Sequence, residues 1–269
     1  GDGRMDMIRD LAFPLPATVI TELLGVASED RDRLKKWSDD FVVFFSTHPS
    51  NISLEQYRRA LASMNAMVEY FRAALPGIRA SGRPCLLHTM ELAETKGEQL
   101  SEAELFANAN LLLVAGHETT TNLIGNGLLA LLQHPEELEK LQAAPSLVPG
   151  AVEEFLRHSG PVQFTHRIAL EDVPLGGKTI RKGQLVFLFL AAANRDLDHF
   201  PDADCLDVTR TIHRHLAFGM GHHFCLGAPL ARLEAQIAFT TILRRLSNLR
   251  LATSTPVYRD NFNLRGLIT

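Results

Sequence analysis

Leu34, Trp37, Phe41 and Phe44 recur at intervals of three and four residues, and Ser28-Glu-Asp-Arg ahead of them places acids in a first turn. That pattern predicts an amphipathic helix with its start marked. Upstream, Ala17 to Leu24 predicts a shorter helix with Gly25 as its C-cap. Leu54 to Leu75 predicts a third, stopped by Pro76-Gly77; residues 77–84 read as loop, and Leu86 to Thr95 as a short helix. Ser101-Glu-Ala-Glu is a capping box with Glu104 at the third helical position. It opens the longest helix, which runs to about Gln133. Pro135 to Ala143 and Gly150 to His158 give two more.

After Gly160-Pro161 the period changes. Val162 to Ile168, Thr179-Ile180 and Leu185 to Leu190 have strand character, with turns at Gly176-Gly177 and Lys182-Gly183. Residues 194–214 are polar and Asp-rich, a long ordered loop of the kind that is often functional. The last helix, Ala228 to Leu246, carries Leu230, Leu233, Ile237 and Thr241 on one face, and residues 249–269 predict a terminal strand pair. The expected class is mainly α with a minor β part, without repeats.

Composition narrows the picture. With 269 residues, 46% hydrophobic and 22% charged, the chain can bury a sizeable core. A net charge of −4 without a basic block gives no phosphate-tracking surface, so no nucleic acid partner is expected. Cys85, Cys205 and Cys225 are odd in number and widely spaced, which fits a reducing compartment, hence the cytoplasm, rather than a disulfide framework. The best apolar run, Leu111 to Ala115, is far too short for a membrane span. There is no starting methionine, and GDGRMDM reads as a loop cut in mid-protein.

Three stretches carry chemistry. The first is FGMGHHFCLG, Phe218 to Gly227. Its glycines call for sharp turns or a close approach. Cys225 stands just before a helix N-terminus, where the dipole and the free N–H groups of Leu226, Gly227 and Ala228 favour a thiolate. Such a cysteine can ligate zinc with His213, His215, His222 or His223, act as a nucleophile with His223 as base, or ligate haem iron. No CxxC accompanies it, which weakens zinc. The second stretch is AGHETTTN, Ala115 to Asn122, mid-way along the long helix. Glycine and three threonines are poor helix-interior residues, and Thr119 and Thr120 hydroxyls can bond back to carbonyls. It reads either as a polar notch at a helix crossing or as a carboxylate and hydroxyl, Glu118 and Thr119, placed to relay protons. The third is EEFLR, where Glu154 and Arg157 lie i, i+3 on one helix face; in isolation it reads as a surface salt bridge.

A-G-x-[D/E]-T, then E-x-x-R, then F-x-x-G-x-H-x-C-x-G ahead of a last helix resembles the cytochrome P450 superfamily, in its soluble bacterial class, over essentially the whole chain. The resemblance implies the cytochrome P450 fold, with a long central helix and a cysteine loop before the last helix. The parts would be 1–160 helical, 161–215 strands and meander, 216–248 haem-binding loop and last helix, and 249–269 terminal strand pair, all one N-terminally incomplete domain. It implies a haem b (iron protoporphyrin IX) monooxygenase that inserts one oxygen atom of O2 into an apolar small molecule. Electrons would come from a ferredoxin-type donor and its NAD(P)H reductase. A non-catalytic haem-binding or recruitment module, or an inactive truncated fragment, is the alternative.

By the same resemblance Cys225 is the axial ligand of the haem iron, His223 and Arg167 contact propionates, and Phe218 packs beneath the haem. Glu118 and Thr119 deliver protons, and Glu154 and Arg157 form a structural pair. Ala115, Thr119, Val162, Phe164, Thr165 and Phe262 border the substrate pocket. Two features depart from the family pattern. Cys205 stands where an arginine completes E-x-x-R, with Arg195 or Arg210 as substitutes, and the sequence begins where the family's pattern is already about one third complete.

Overall fold

The structure, a computed structural model, describes residues 3–46, 52–95, 97–211, 214–253 and 255–269. His213 and the side chains of Ser28 and Phe44 lie outside what is described. Packing divides the chain into two compact units. The first comprises Gly1–Gly125, Thr255–Phe262 and Leu267–Thr269; the second comprises Asn126–Ser254 and Asn263–Gly266. One long helix runs through the boundary.

In the first unit a π-helical turn, Ile8–Ala12, leads into α1 (Pro14–Leu24). Gly25 ends α1 in the left-handed region at φ 81°. A 3-10 turn at Ser28–Asp30 precedes α2 (Arg31–Ser46), so the start expected at Ser28 is a tighter turn than an α-helix. The third helix, α3, spans Leu54–Ser81 and is capped by a reciprocal pair: Gln56 N–H to Ser53 Oγ, and Ser53 N–H to the Gln56 side chain. Here the expected stop at Pro76 fails. Proline removes one backbone bond, but Leu75 and Ile78 on either side of it are both in the core. Burial of that stripe carries the helix six residues further, to Ser81, with Gly82 as its cap at φ 63°.

A short helix, α4 (Leu86–Leu92), ends before a two-residue antiparallel pair, β1 (Glu94–Thr95) and β2 (Glu98–Gln99), where a helix to Thr95 was expected. The longest helix, α5 (Glu102–Gln133), begins with the capping box as read: Ser101 N–H donates to Glu104 at 2.9 Å and Glu104 N–H to Ser101 Oγ at 3.3 Å. Ile20, Leu24, Leu34, Met67, Phe71, Leu75, Leu87, Phe106 and Leu113 form the core of this unit.

In the second unit α5 continues to α6 (Pro135–Ala143) and α7 (Val148–Ser159), with a 3-10 turn at Pro145–Leu147 between them. Strand β3 (Thr165–Ile168) pairs antiparallel with β6 (Leu185–Leu188), and β4 (Val173–Leu175) with β5 (Lys178–Ile180). Leu190, expected in a strand, opens the short helix α8 (Leu190–Ala193). The last helix is α9 (Ala228–Arg245), packed on α7 through Phe155 and Phe239, whose rings lie 4.7 Å apart.

Among the described residues the terminal strand pair is reduced to a single bridge. Backbone groups at 263–265 are taken by 161–163: Gln163 N–H donates to Asn263 at 2.9 Å and Arg265 N–H to Pro161 at 2.8 Å. What remains is one bridge, Tyr258 to Leu267, in the first unit, and one, Val162 to Leu264, in the second.

Candidate functional site

The cysteine loop is built on backbone that only glycine adopts freely. Gly219 and Gly221 sit at φ 70° and 73°, flanking Met220. A 3-10 turn at Gly221–His223 follows, closed by Phe224 N–H to the Gly221 carbonyl at 3.0 Å. Cys225 N–H then returns to the Phe218 carbonyl at 3.0 Å, so Phe218 and Cys225 are locked as neighbours. A Cβ on Gly227 would stand 3.9 Å from Cys225 Sγ, so the sulfur lies over that glycine at the N-cap of α9. Of the three N–H groups expected near the sulfur, that of Ala228 closes instead on the Cys225 carbonyl at 3.3 Å.

Cys225 is free and exposed, as are His223, Phe224 and Leu226. The Phe218 ring is half-buried, with the Arg232 guanidinium stacked 4.6 Å from its centre. Arg167, on β3, is half-buried and donates to Thr165 Oγ1 at 3.1 Å and to the His166 carbonyl at 2.7 Å. Among the described residues it makes no ion pair, so its charge is available to an anionic group.

Glu154 and Arg157 overturn the surface reading of EEFLR, because neither side chain is exposed at all. The guanidinium uses every N–H. Nε and Nη2 hold the two Glu154 oxygens at 2.7 and 2.8 Å; Nη1 donates to the carbonyls of Asn194 and Ala203, and Nη2 to that of Cys205. A buried arginine with five N–H groups is tolerated only on such terms. Cys205 therefore contributes its backbone, and Arg210 supplies the second cation, with Nε 3.4 Å from Glu154 Oε1 and Nη1 on the Pro201 carbonyl at 2.6 Å. Arg195 is engaged elsewhere, with Asp204 and the His158 carbonyl. Asn194 Oδ1 accepts Leu216 N–H at 2.7 Å, tying this buried cluster to the start of the cysteine loop.

Three residues read as pocket lining also sit in this unit. Val162 and Thr165 are half-buried, and Phe164 is enclosed, its ring 5.3 Å from Phe187 and 5.6 Å from Phe189.

The first unit holds the other candidates. Thr119 Oγ1 donates back to the Ala115 carbonyl at 2.9 Å, as expected of a notch. Ala115 is exposed and Thr119 half-exposed. Gly116 lets α1 approach, since a Cβ there would meet Ile20 Cγ1 at 2.6 Å. Glu118 is 3% exposed and receives Arg259 Nη1 at 2.7 Å on Oε1; its Oε2 lies 3.9 Å from His117 Nε2. The same Arg259 nitrogen is 3.8 Å from Asp39. His117 Nδ1 donates to the Leu113 carbonyl at 2.8 Å, and burial lowers its pKa, so the ring is neutral with Nε2 facing Ser38 at 3.4 Å. Phe262 is exposed. Sequence reasoning did not single out Arg259, Asp39, Ser38 or His117, because partners so distant in the chain leave no local pattern.

The sequence profile named Cytochrome P450 matches residues 4–148 and 144–264. The chain belongs to the cytochrome P450 family. It is 43% identical to the biotin biosynthesis cytochrome P450 of Bacillus subtilis over 99% of this chain and 67% of that protein. It is 46% identical to cytochrome P450 107B1 of Saccharopolyspora erythraea over 99% of this chain and 64% of that one. The crystal structure of P450BioI in complex with hexadec-9Z-enoic acid ligated acyl carrier protein superimposes with a TM-score of 0.93 at 41% identity, covering 100% of this chain and 68% of that chain. The chain thus spans about two thirds of the length of the relatives it matches.

Proteins of the cytochrome P450 family bind haem b, and the residues present fit that group. Cys225 offers one free sulfur at a helix N-terminus, Gly219 and Gly221 keep side chains out of the turn, and Arg167, without an ion pair among the described residues, carries a charge suited to a propionate. Zinc is not supported: among the described residues no group of three or more His, Cys, Asp or Glu could hold an ion. No hydrogen-bonded base reaches Cys225 Sγ among those residues either, which removes support for the nucleophile reading.

Proposed function

We propose that this chain carries the haem-thiolate machinery of a monooxygenase that inserts one oxygen atom of O2 into an apolar small molecule. The observation that carries the reading is the placement of Cys225, a lone thiol held over Gly227 at the N-terminus of α9 in a loop whose turns require glycine. When bound, haem iron ligated by thiolate supplies the electron density that favours O–O cleavage.

Each residue then has a task. Cys225 holds the iron, and Arg167 and His223 anchor propionates. Phe218 shields the sulfur from its own side of the loop. Glu118 and Thr119 hold a carboxylate and a hydroxyl in series on α5, a pair suited to passing protons to reacting oxygen. Glu154, Arg157 and Arg210 brace the meander behind the cysteine loop.

An apolar substrate is supported by the side chains left uncovered in each unit: Leu111 and Phe262 in the first, Phe187 and Phe189 in the second. The fatty acyl ligand in the P450BioI structure belongs to the same chemical class. A ferredoxin-type donor with its NAD(P)H reductase supplies electrons in this reading, and the cytoplasm is the site of action. Among the described residues no helix is long and apolar enough to cross a membrane.

The test is the absorption spectrum of the purified chain after haem loading, reduced and exposed to carbon monoxide, beside Cys225→Ala. A thiolate-type red-shifted Soret band in the wild type, lost in the variant, supports the reading. A chain that takes up no haem sinks catalysis by these 269 residues and favours the recruitment-module alternative.

A further inference from the structure

Residues 219–227 have little core of their own. Met220, Phe224 and Leu226 are exposed, and Gly219, Gly221 and Gly227 add backbone freedom. A loop of this composition fixes its sulfur only if its two ends are fixed. Both ends converge on the one acidic side chain of EEFLR that the E-x-x-R pair does not use. Glu153 of α7 receives Arg232 Nε at 2.7 Å on Oε1 and Arg232 Nη2 at 2.9 Å on Oε2, and it accepts from His215 Nε2 at 3.1 Å. His215 enters the loop and Arg232, on the first turns of α9, leaves it.

The contact is specific in its protons as well as its charges. His215 Nδ1 accepts Ala217 N–H at 3.2 Å, so the proton of the neutral ring sits on Nε2 and points at Glu153. The His215 side chain is 3% exposed, which leaves it no alternative partner in water. The Arg232 guanidinium lies over the Phe218 ring, 4.6 Å from its centre, and the His215 ring stands tilted with its centre 5.9 Å away. Phe218 in turn accepts Cys225 N–H. Burial works to raise the Glu153 carboxyl, but its bonds from His215 and Arg232 outweigh that and take it down to about 2, so the clamp stays ionised at any working pH.

We propose that Glu153 is a positioning residue for Cys225: by fastening His215 and Arg232 about Phe218 it closes the loop ends and sets where the sulfur stands. This rests on the reading of Cys225 as the iron ligand, with Glu153 one shell behind it. It separates the roles of two adjacent glutamates. Glu154 braces the meander, and Glu153 holds the cysteine loop.

The experiment uses the chain with Cys205→Ser, since Cys205 enters the described hydrogen bonds through its backbone alone and Cys85 is buried. The rate at which Cys225 reacts with an aromatic disulfide is measured at fixed pH in the haem-free protein, for Glu153→Gln and Arg232→Lys. Both variants are expected to react at least fivefold faster, with unchanged far-ultraviolet circular dichroism. Arg232→Lys is the sharper of the two, because it keeps the charge and loses only the fork and the stacked plane. After haem loading, the same variants are expected to lose part of the thiolate-type Soret band of the reduced carbon monoxide complex. Rates within twofold of the parent in every variant that folds, with the parent spectrum, would overturn the proposal. Should Glu153→Gln fail to fold, Arg232→Lys at the partly exposed end decides alone. A parent that takes up no haem refutes the ligand reading, while the thiol rates still decide the clamp.

Discussion

Arg259 Nη1 stands 2.7 Å from Glu118 Oε1, joining residues 141 positions apart. The carboxylate is 3% exposed and the guanidinium 29%, so a buried anion is neutralised by a cation that retains access to water. Removing the cation strands the charge. Arg259→Gln is expected to cost about 1–3 kcal/mol in urea unfolding, and Glu118→Gln in that background much less than in the parent. A coupling of about 1–2 kcal/mol in the double-mutant cycle is the expected result; additive costs would show that the pair does not persist in solution.

The notch that carries Glu118 also depends on its neighbour Gly116. A Cβ there would meet Ile20 Cγ1 at 2.6 Å and Cδ1 at 2.8 Å. Gly116→Ala is expected to destabilise the first unit by about 1–3 kcal/mol through overpacking, despite alanine's better helix propensity. Ile20→Ala opens a cavity on its own, but combined with Gly116→Ala it should recover part of the loss. Thermal unfolding of the four proteins checks this, and a double variant no better than the sum of the singles would rule out the steric cause.

Arg210 completes a cluster in which Arg157 has no N–H to spare. Arg157→Met leaves Glu154 buried with a weakened set of donors, and a loss of about 3–5 kcal/mol is expected. Arg210→Ala removes the 3.4 Å contact to Glu154 and the clips to the Pro201, Asp202 and Cys205 carbonyls. It should cost about 1–2 kcal/mol, and limited proteolysis should show faster cutting within residues 195–211. Equal losses for the two variants would contradict the assignment of Arg157 as the central member.

These contrasts show what the sequence could carry. Local chemistry was legible: the Ser101–Glu104 box, the Gly25 cap and the glycines around Cys225 all act within a few residues, and the structure places them as read. The E-x-x-R pair was legible as a pair, yet its burial was not, because i, i+3 spacing looks the same on a wet or a dry face. Pro76 misled for a related reason. Its local cost is fixed, while the compensating burial of Leu75 and Ile78 depends on the helices packed against them. The terminal residues were read as a strand pair, but they pair with each other only around Tyr258 and Leu267, while 263–265 serve 161–163. Partners such as Arg259 for Glu118, or Arg232 for Glu153, come from distant parts of the chain and leave no spacing to read.

Glu234 on α9 is 4% exposed, and neither of its carboxylate oxygens has a partner among the described residues. Burial pushes its pKa from 4.5 to about 7. A carboxyl whose value is raised by folding loses its proton more readily in the unfolded chain. It therefore costs nothing below about pH 4.5, and its penalty grows between there and pH 7 before levelling off. Glu234→Gln keeps the shape without the charge. The variant is expected to be more stable than the parent at pH 8, on the order of 1–2 kcal/mol once solvent screening is allowed for. That advantage should shrink steadily as pH falls and vanish near pH 4.5. Urea unfolding of both proteins from pH 4.5 to 8 measures the difference directly. A constant difference across that range would mean that folding leaves the Glu234 pKa unchanged, and a parent that gains on the variant as pH rises would mean that Glu234 is paired and its charge is the form the fold prefers.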